Sequence, residues 1–288
     1  MQRFKDFSAD SAHSAVKELS SAHHPGRQLL GQKTRGKTAP NRLRKTDTFL
    51  GVAYPDFVRH MPGVYVDLGY GAYPITALET LHRLRRLNPS LRVLGVEIDP
   101  QRVAAALPFA EPGLDFRLGG FNLPLEIGET VSLIRAFNVL RQYDESEVAQ
   151  ALTTLAAPLT ENGLILEGTS DPLGRLLTFN LYQKTGGALQ RIAFVLAPSL
   201  RADFAPRQFQ AVLPKNFIHH AEPGGAIDRF FAAWHAAWQR ARTHSADRHQ
   251  VFIHAAKRLA EHYGYSLDRR SILLRRGFLS LGPNWPMS

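Results

Sequence analysis

One stretch decides the fold: Val64-Tyr65-Val66-Asp67-Leu68-Gly69-Tyr70-Gly71-Ala72-Tyr73-Pro74. Its first five residues are mostly β-branched or aromatic and are followed by glycines, so they predict a buried strand. Pro74 is tolerated in the first turn of a helix because that turn has N–H groups without intrahelical partners. The apolar residues that follow recur at helical spacing, at Ile75, Leu78, Leu81 and Leu84. The stretch therefore predicts a strand, a glycine loop and a helix in succession.

A second strand, Arg92–Ile98, follows this helix, and Asp99-Pro100 would cap and begin the next one. Each strand carries an acid near its end, Asp67 and Glu97 respectively. A dinucleotide fingerprint would place a third glycine at Pro74, and the Asp67 carboxylate would repel a pyrophosphate. S-adenosylmethionine (SAM) carries an ammonium and a sulfonium but no phosphate, and its ribose hydroxyls suit Glu97. The two acids favour a SAM site, whereas the alternative is a structural turn with incidental carboxylates.

Further strands and helices alternate along the chain. Strands are predicted over residues 114–118, 131–137 and 164–167, and helices over 101–107 and 144–159. This alternation predicts an α/β fold with a doubly wound, mostly parallel sheet. Ligands of such sheets bind beyond the carboxyl ends of the strands, where Asn122, Asn138 and Glu167 also fall.

Two motifs resemble the first two motifs of class I SAM-dependent methyltransferases, which have a Rossmann-like fold. They are Val66–Gly71 and Val96–Asp99, and later stretches follow in the family's order at 117–125, 134–143 and 163–171. The resemblance covers about residues 46–185, with a weaker match at the C-terminus, and is closest to bacterial members of unassigned substrate. Tyr73 stands where the family commonly has its third glycine, and we expect its ring to narrow the pocket over the methionine moiety.

The resemblance implies a set of site residues. Phe121 would stack on adenine and Asn122 would hydrogen-bond to it, unless Gly119-Gly120 merely form a turn. The side chains of Asn138 and Tyr143 would face the transferred methyl group and position the acceptor, as the catalytic pair. The cofactor contacts that we expect are Asp67, Gly69, Gly71, Tyr73, Glu97, Ile98, Phe121, Asn122 and Asn138.

The second half of the chain gives weaker strand signals. Helices are predicted over residues 173–185, 226–242 and 251–262, and a terminal antiparallel hairpin over 271–274 and 278–281. Residues 172–249 would form a helical insertion that shapes the substrate site. Its apolar stripe is either core or pocket wall, and His219 is either a base or a surface residue. The stripe consists of Phe230, Phe231, Trp234 and Trp238.

Positive charge is concentrated at the start of the chain. The formal net charge is +10, and the first 45 of the 288 residues hold ten Lys or Arg against three Asp or Glu. Residues 1–38 are polar and predict a disordered basic arm ahead of a methyltransferase domain at 39–288. Such an arm either binds nucleic acid or is a solvated tail. Arg42 and Arg44, just beyond it, either face an anionic substrate group or are surface arginines.

Several classes of site are disfavoured by composition. The absence of cysteine excludes disulfides and thiolate metal sites, and no metal site is predicted. No apolar run approaches the roughly 18 residues of a membrane span, and the first residues lack a secretory signal, so a cytoplasmic protein is expected.

The sequence thus predicts a SAM-dependent methyltransferase that acts on a small molecule. The stretch after the fourth strand lacks the Asn/Asp-Pro-Pro-aromatic pattern of enzymes that methylate exocyclic base amines. Two alternatives remain open. One is a nucleic-acid (RNA) methyltransferase or binding protein that uses the basic arm, and the other is a methyltransferase-like protein without catalysis.

Overall fold

Eight strands form one mixed sheet at the centre of the molecule. The computed structural model describes residues 28–218 and 220–286. The strands are β1 (Val64–Leu68), β2 (Val93–Glu97), β3 (Leu114–Leu118), β4 (Val131–Phe137), β5 (Leu159–Ser170), β6 (Leu176–Thr185), β7 (Ala188–Pro198) and β8 (Leu279–Leu281). Their spatial order is β3-β2-β1-β4-β5-β6-β7-β8.

The first five strands are parallel, and the last three are antiparallel to their neighbours. The strand order reverses between β1 and β4, which lie side by side although two strands separate them in the chain. Crevices at such a switch point are where doubly wound sheets bind ligands. The predicted Rossmann-like α/β class is confirmed.

Helices cover both faces of the sheet. They are α1 (Arg44–Ala53), α2 (Pro55–His60), α3 (Ile75–Leu84), α4 (Pro100–Ala106), α5 (Glu145–Ala156), α6 (Lys215–Ile218), α7 (Ala226–Arg242), α8 (Arg248–Tyr263) and α9 (Ser271–Arg275). Apolar residues of α1–α4 and α9 share one core with one face of the sheet. Those of α5 pack on the opposite face, and α7 and α8 extend that layer over β7 and β8.

Two secondary-structure predictions for the second half are wrong. Residues 173–185 were expected to be helical, but 176–185 form strand β6. Leu177, Phe179 and Leu181 face one core while Thr178 and Asn180 are buried on the other face, so residues 177–181 show the apolar–polar alternation of a strand. The antiparallel edge is therefore made by β6, β7 and β8, since residues 271–275 form helix α9 rather than half of a hairpin.

A buried charge network joins α1, α3, β1 and β4. Arg135 on β4 is fully buried; its Nη1 lies 2.9 Å from Asp47 Oδ1 and its Nη2 lies 2.9 Å from Asp67 Oδ2. Arg83 donates to the other oxygen of Asp47 at 2.8 Å, and Thr76 donates to Asp67 Oδ2 at 2.7 Å. Arg83 also lies 3.0 Å from Glu79, so two arginines and three carboxylates form one network beneath the ends of β1 and β4.

We expect Arg135→Met to destabilise the protein strongly, because it strands two carboxylates in the core without their shared cation. Loss of one partner of a buried ion pair costs about 3–5 kcal/mol of unfolding free energy. Arg59→Met is the matched control, since Arg59 is paired with Asp56 at the surface and such pairs are worth about 1 kcal/mol or less. Urea unfolding of both variants measures the difference, and equal losses would contradict a structural role for the network.

Candidate functional site

A cavity of about 550 Å³ opens at the switch point between β1 and β4. The residues after β1, from Asp67 to Gly71, form one wall, and Phe137 and Asn138 at the end of β4 form another. The volume lies within the range of roughly 300–1,000 Å³ that is usual for small-molecule sites. The position and size of this cavity make it the candidate ligand site.

The glycine loop after β1 has the conformation that its sequence predicts. Gly69 and Gly71 have φ of 70° and 90°, which L side chains rarely adopt. Gly71 N–H donates to Glu97 Oε2 at 3.1 Å, while Glu97 Oε1 accepts from Ile98 N–H at 2.9 Å. Glu97 is only 1% exposed, and Arg102 lies 3.5 Å from it. The acid that we predicted for the ribose is therefore fixed against the loop.

Asp67 is less available to a ligand than its position in the motif indicates. It lines the large cavity but is 2% exposed. Its oxygens accept from Arg135 Nε at 3.0 Å and from Thr76 Oγ1 at 2.7 Å. Because Arg135 neutralises its charge, Asp67 can offer a cofactor ammonium a lone pair but little net attraction.

Residues 28–38, which we call the strap, run across the site without regular secondary structure. Phe121 N–H donates to the carbonyl of Leu30 at 2.7 Å. Asn122 Oδ1 accepts from Leu30 N–H and its Nδ2 donates to the carbonyl of Gln28, both at 2.9 Å. The strap thus takes up hydrogen-bonding groups of Phe121 and Asn122, the two residues that we predicted to contact adenine.

The strap continues over the predicted ribose and methionine positions. Lys33 forms an ion pair with Asp99, and Arg102 donates to the carbonyl of Thr34 at 2.9 Å. Ala72 N–H in the glycine loop donates to the carbonyl of Gly36 at 2.9 Å. Residues 28–38, which we predicted to belong to a disordered arm, are therefore packed against the domain. Residues 1–27 lie outside the described part of the chain.

A second cavity shows how closely the strap fits. It has a volume of about 20 Å³, room for about one water molecule. Leu30, Gly31 and Gln32 of the strap form one side, and Ile98 and Phe121 lie opposite. Glu97, Ile98 and Phe121, three of the residues predicted for adenosine, line this cavity together with the strap.

The proposed catalytic pair is divided between the two cavities. Asn138 lines the large cavity with φ of 59°, and its amide contacts the Ser170 hydroxyl and backbone N–H at 3.4 and 3.2 Å. Tyr143 lines the small cavity, is 5% exposed, packs on Phe121 and accepts a hydrogen bond from Gln32 N–H. The expectation that both face one reacting point differs from the structure, in which Tyr143 lines the small cavity and binds the strap while Asn138 lines the large one.

Tyr73 does not narrow the site as expected. It is 55% exposed and is not among the residues that line either cavity. The residue at the missing third glycine therefore points away from the described ligand volume. This removes the obstruction that the sequence predicted at this position.

The structure also bears on the apolar stripe of α7 and on possible metal sites and membrane spans. The stripe on α7 is core, since Phe230, Phe231 and Trp234 are fully buried and Trp238 is 3% exposed. His219 lies outside the described residues. In the described part of the chain, no three His, Asp or Glu side chains cluster as metal ligands would, and no helix has the length and apolarity of a membrane span.

Sequence reasoning offered Arg42 and Arg44 as contacts of an anionic substrate group, but it missed the other three cations that line the large cavity. Arg35 and Lys37 of the strap line it with Arg42 and Arg141, whereas Arg44 does not. The only sequence signal was the density of basic residues between 33 and 45.

Glu167, also predicted at a strand end, lies away from both cavities. It is 2% exposed and accepts from Asn180 Nδ2 at 2.8 Å, and burial raises the pKa of its carboxyl to about 7. A raised folded-state pKa means that the folded protein binds more protons than the unfolded chain between about pH 4.5 and 7. The contribution of the Glu167 carboxyl to the free energy of unfolding is therefore complete below pH 4.5, and it is lost as the pH rises through 7.

We expect Glu167→Gln to remove this loss, because the amide stays neutral and keeps a polar contact with Asn180. The variant should be more stable than wild type at pH 8, by up to about 3 kcal/mol, and nearly equal to it at pH 4. Glu126→Gln, at an exposed carboxylate, is the control. Urea unfolding at both pH values gives the result, and a pH-independent difference between Glu167→Gln and wild type would contradict the raised pKa.

No protein-family model and no curated protein matches the sequence. Solved structures do match, at low identity. The plantazolicin methyltransferase BamL, in complex with a desmethyl analogue and S-adenosylhomocysteine (SAH), is 16% identical over 46% of this chain and 46% of its own, with a TM-score of 0.35. Magnesium protoporphyrin IX methyltransferase ChlM from Synechocystis PCC 6803, with bound SAH, is 16% identical over 44% and 54%, with a TM-score of 0.34.

The CcbJ methyltransferase from Streptomyces caelestis is 16% identical over 54% of this chain and 71% of its own, with a TM-score of 0.33. The match thus spans about half the length of BamL and of ChlM. All three of these similar structures are methyltransferases, and two of them hold SAH.

Proposed function

We propose that the chain is a SAM-dependent methyltransferase with a small-molecule acceptor. One observation carries the proposal: the 550 Å³ cavity lies at the β1–β4 switch point, between a glycine loop with positive φ and the end of β4. The carboxylate of Glu97 is hydrogen-bonded to the same loop. This arrangement suits a cofactor whose ribose hydroxyls bind the Glu97 carboxylate, and the loop lacks the third glycine of a pyrophosphate-binding fingerprint.

The described residues can divide the cofactor among them. Glu97 would accept hydrogen bonds from the ribose hydroxyls, and Ile98 and Phe121 would enclose adenine. The backbone of Gly69 and Gly71 would let the methionine moiety approach closely, since neither residue has a side chain. These assignments agree with the resemblance of the two sequence motifs.

Bound SAM would supply a methyl group on a sulfonium, which is already a good leaving centre. The protein then needs to align the acceptor, exclude water and tolerate the charge. Among the described residues, no histidine lines the large cavity, and its one carboxylate, Asp67, is paired with Arg135. The site therefore suits an acceptor atom that carries no proton at neutral pH, or one that loses it to water.

The strap has to move before adenosine can occupy its predicted place. About 20 Å³ is far too small for an adenine ring, and Leu30 uses the hydrogen-bonding groups of Phe121 and Asn122. A site that is open only part of the time binds with an affinity reduced by the open fraction. Cofactor binding is thus coupled to displacement of residues 30–34.

The same strap supports a second candidate, a methyltransferase-like protein without catalysis. In that case the strap is a permanent filling of the adenosine half, and the large cavity serves another ligand. The two candidates differ in one measurable property, which is whether SAH enters the site.

We expect calorimetry to detect binding of SAH and SAM, and none of NAD. Glu97→Gln should weaken SAH binding by roughly 10- to 150-fold, because the amide replaces a charged acceptor whose hydrogen bonds are worth about 1.5–3 kcal/mol. The substitution keeps one oxygen for Gly71 N–H but sets an NH2 group against the N–H groups of Ile98 and Asp99, so the melting temperature has to be measured beside the affinity.

Glu126→Gln, at an exposed carboxylate, controls for loss of surface charge. Equal melting temperatures of the two variants would show that the fold is intact. No SAH binding by the full chain would favour the second candidate, and NAD binding would overturn the cofactor assignment.

A further inference from the structure

The large cavity is lined by more cationic side chains than the single carboxylate of SAM can pair with. Arg35, Lys37, Arg42 and Arg141 line it, and the only carboxylate among its lining residues is Asp67. Asp67 is neutralised by Arg135, which lies behind it in the core. The wall that faces the cavity thus carries four cations without a balancing anion in its lining.

Arg42 is held in place from two sides. Its Nε donates to Ser170 Oγ at 3.0 Å, its Nη2 to the Ser170 carbonyl at 3.3 Å, and its Nη1 to the Lys37 carbonyl. A guanidinium has five N–H donors, so two remain after these described bonds. Burial lowers the pKa of Arg42 and the nearby Asp171 raises it, which fits a partly desolvated cation. A partly desolvated, fixed guanidinium is suited to binding a carboxylate or phosphate.

Asn138 supports this arrangement from the end of β4. Its side chain contacts the hydroxyl and the N–H of Ser170, which in turn accepts from Arg42. Asn138 is therefore a positioning residue for Arg42 through Ser170.

The other three cations are less constrained. Arg141 lies in the short 3₁₀ turn Leu140–Gln142 that follows β4, and it is exposed. Arg35 and Lys37 lie on the strap and are also exposed. Within the described residues, no ion pair joins any of the three to an acid. They can therefore turn toward a ligand at little cost in broken contacts.

The charge of the cofactor strengthens the argument. At neutral pH SAM carries one carboxylate, one ammonium and one sulfonium, so its net charge is about +1. A bound SAM would leave the cavity more positive than before, and its single carboxylate can satisfy only part of four cations. An anionic second substrate would complement the remaining positive charge.

We infer that the methyl acceptor is a small organic anion whose carboxylate or phosphate group is bound by Arg42 and Arg141. The inference rests on the proposed function, since it assigns the acceptor half of the same site. A concave cavity of about 550 Å³ suits a small molecule better than a nucleic-acid backbone, which is bound along open basic surfaces.

The test uses the full chain saturated with SAH and three probes of similar shape: benzoate, phenyl phosphate and neutral benzamide. Calorimetry should detect benzoate or phenyl phosphate, or both, with benzamide at least 10-fold weaker. The two charged probes distinguish a carboxylate site from a phosphate site. Binding of either one with this selectivity supports the inference.

Variants then locate the anion site. Arg141→Gln should weaken the better probe by roughly 10-fold or more, while the affinity for SAH stays unchanged, because Arg141 is exposed and holds no other element in place. Arg42→Gln should have an equal or larger effect, with the melting temperature as a check on folding. Arg86→Gln, at another exposed arginine outside the cavity, should change neither affinity.

Several results would overturn the inference. These are benzamide binding as tightly as the anions, an unchanged probe affinity in Arg141→Gln, or a loss of SAH rather than probe affinity in that variant. A 12-nucleotide RNA that binds with steep salt dependence while both small anions fail would assign the cations to nucleic acid instead. Anion binding without any SAH binding would support the anion site and overturn the methyltransferase proposal, so the two failures are distinguishable.

Discussion

The ion pairs of buried Arg135 fix the geometry on which the site depends. The guanidinium forms ion pairs with Asp47 of α1 and Asp67 of β1, which lie on two different elements of the chain. Since Asp47 lies five residues after Arg42, the position of α1 also sets where Arg42 meets Ser170. One cation in the core thus aligns the end of β1, the end of β4 and the segment that enters α1. A buried pair of this kind is retained at a desolvation cost, which its role in alignment would justify.

The strap adds a second level of organisation to the same site. Its backbone meets Phe121 and Asn122, two positions at which the resemblance places cofactor contacts, and Ala72 in the glycine loop. Since the strap also carries Arg35 and Lys37, movement of one segment would change both halves of the site. Under our proposal, cofactor binding and the charge offered to the acceptor are therefore coupled through residues 28–38.

The parts of the fold that local pattern determines could be predicted from the sequence. The β1–glycine loop–α3–β2 unit and the position of Glu97 follow from short-range periodicity and from two glycines. Strand β6 was missed because Leu173, Leu177 and Leu181 lie four residues apart, which fits a helix, while residues 177–181 also alternate as a strand does, so the local pattern allows both.

The site's long-range contacts could not be predicted in the same way. Arg135 and Asp67 are 68 residues apart, and nothing near either residue marks the pairing. The strap has the polar, basic composition of a disordered tail, and its order comes from backbone hydrogen bonds to residues about 90 positions away. The end of β4 was predicted correctly, and for that reason Tyr143 was expected near the reacting methyl group. The direction of its side chain depends on a hydrogen bond to the strap, which the local sequence does not reveal.

The most direct test of the account is hydrogen exchange of the full chain, followed by mass spectrometry with and without SAH. If the adenosine part of SAH displaces the strap, hydrogen exchange should become faster in peptides from residues 28–34. The reason is that the N–H groups of Leu30 and Gln32 then lose their acceptors, Asn122 and Tyr143. Peptides that contain Gly69–Gly71 and Glu97 should exchange more slowly in the same experiment. Unchanged exchange in both regions at saturating SAH, or changes confined to α7 and α8, would contradict a cofactor site at the β1–β4 switch point.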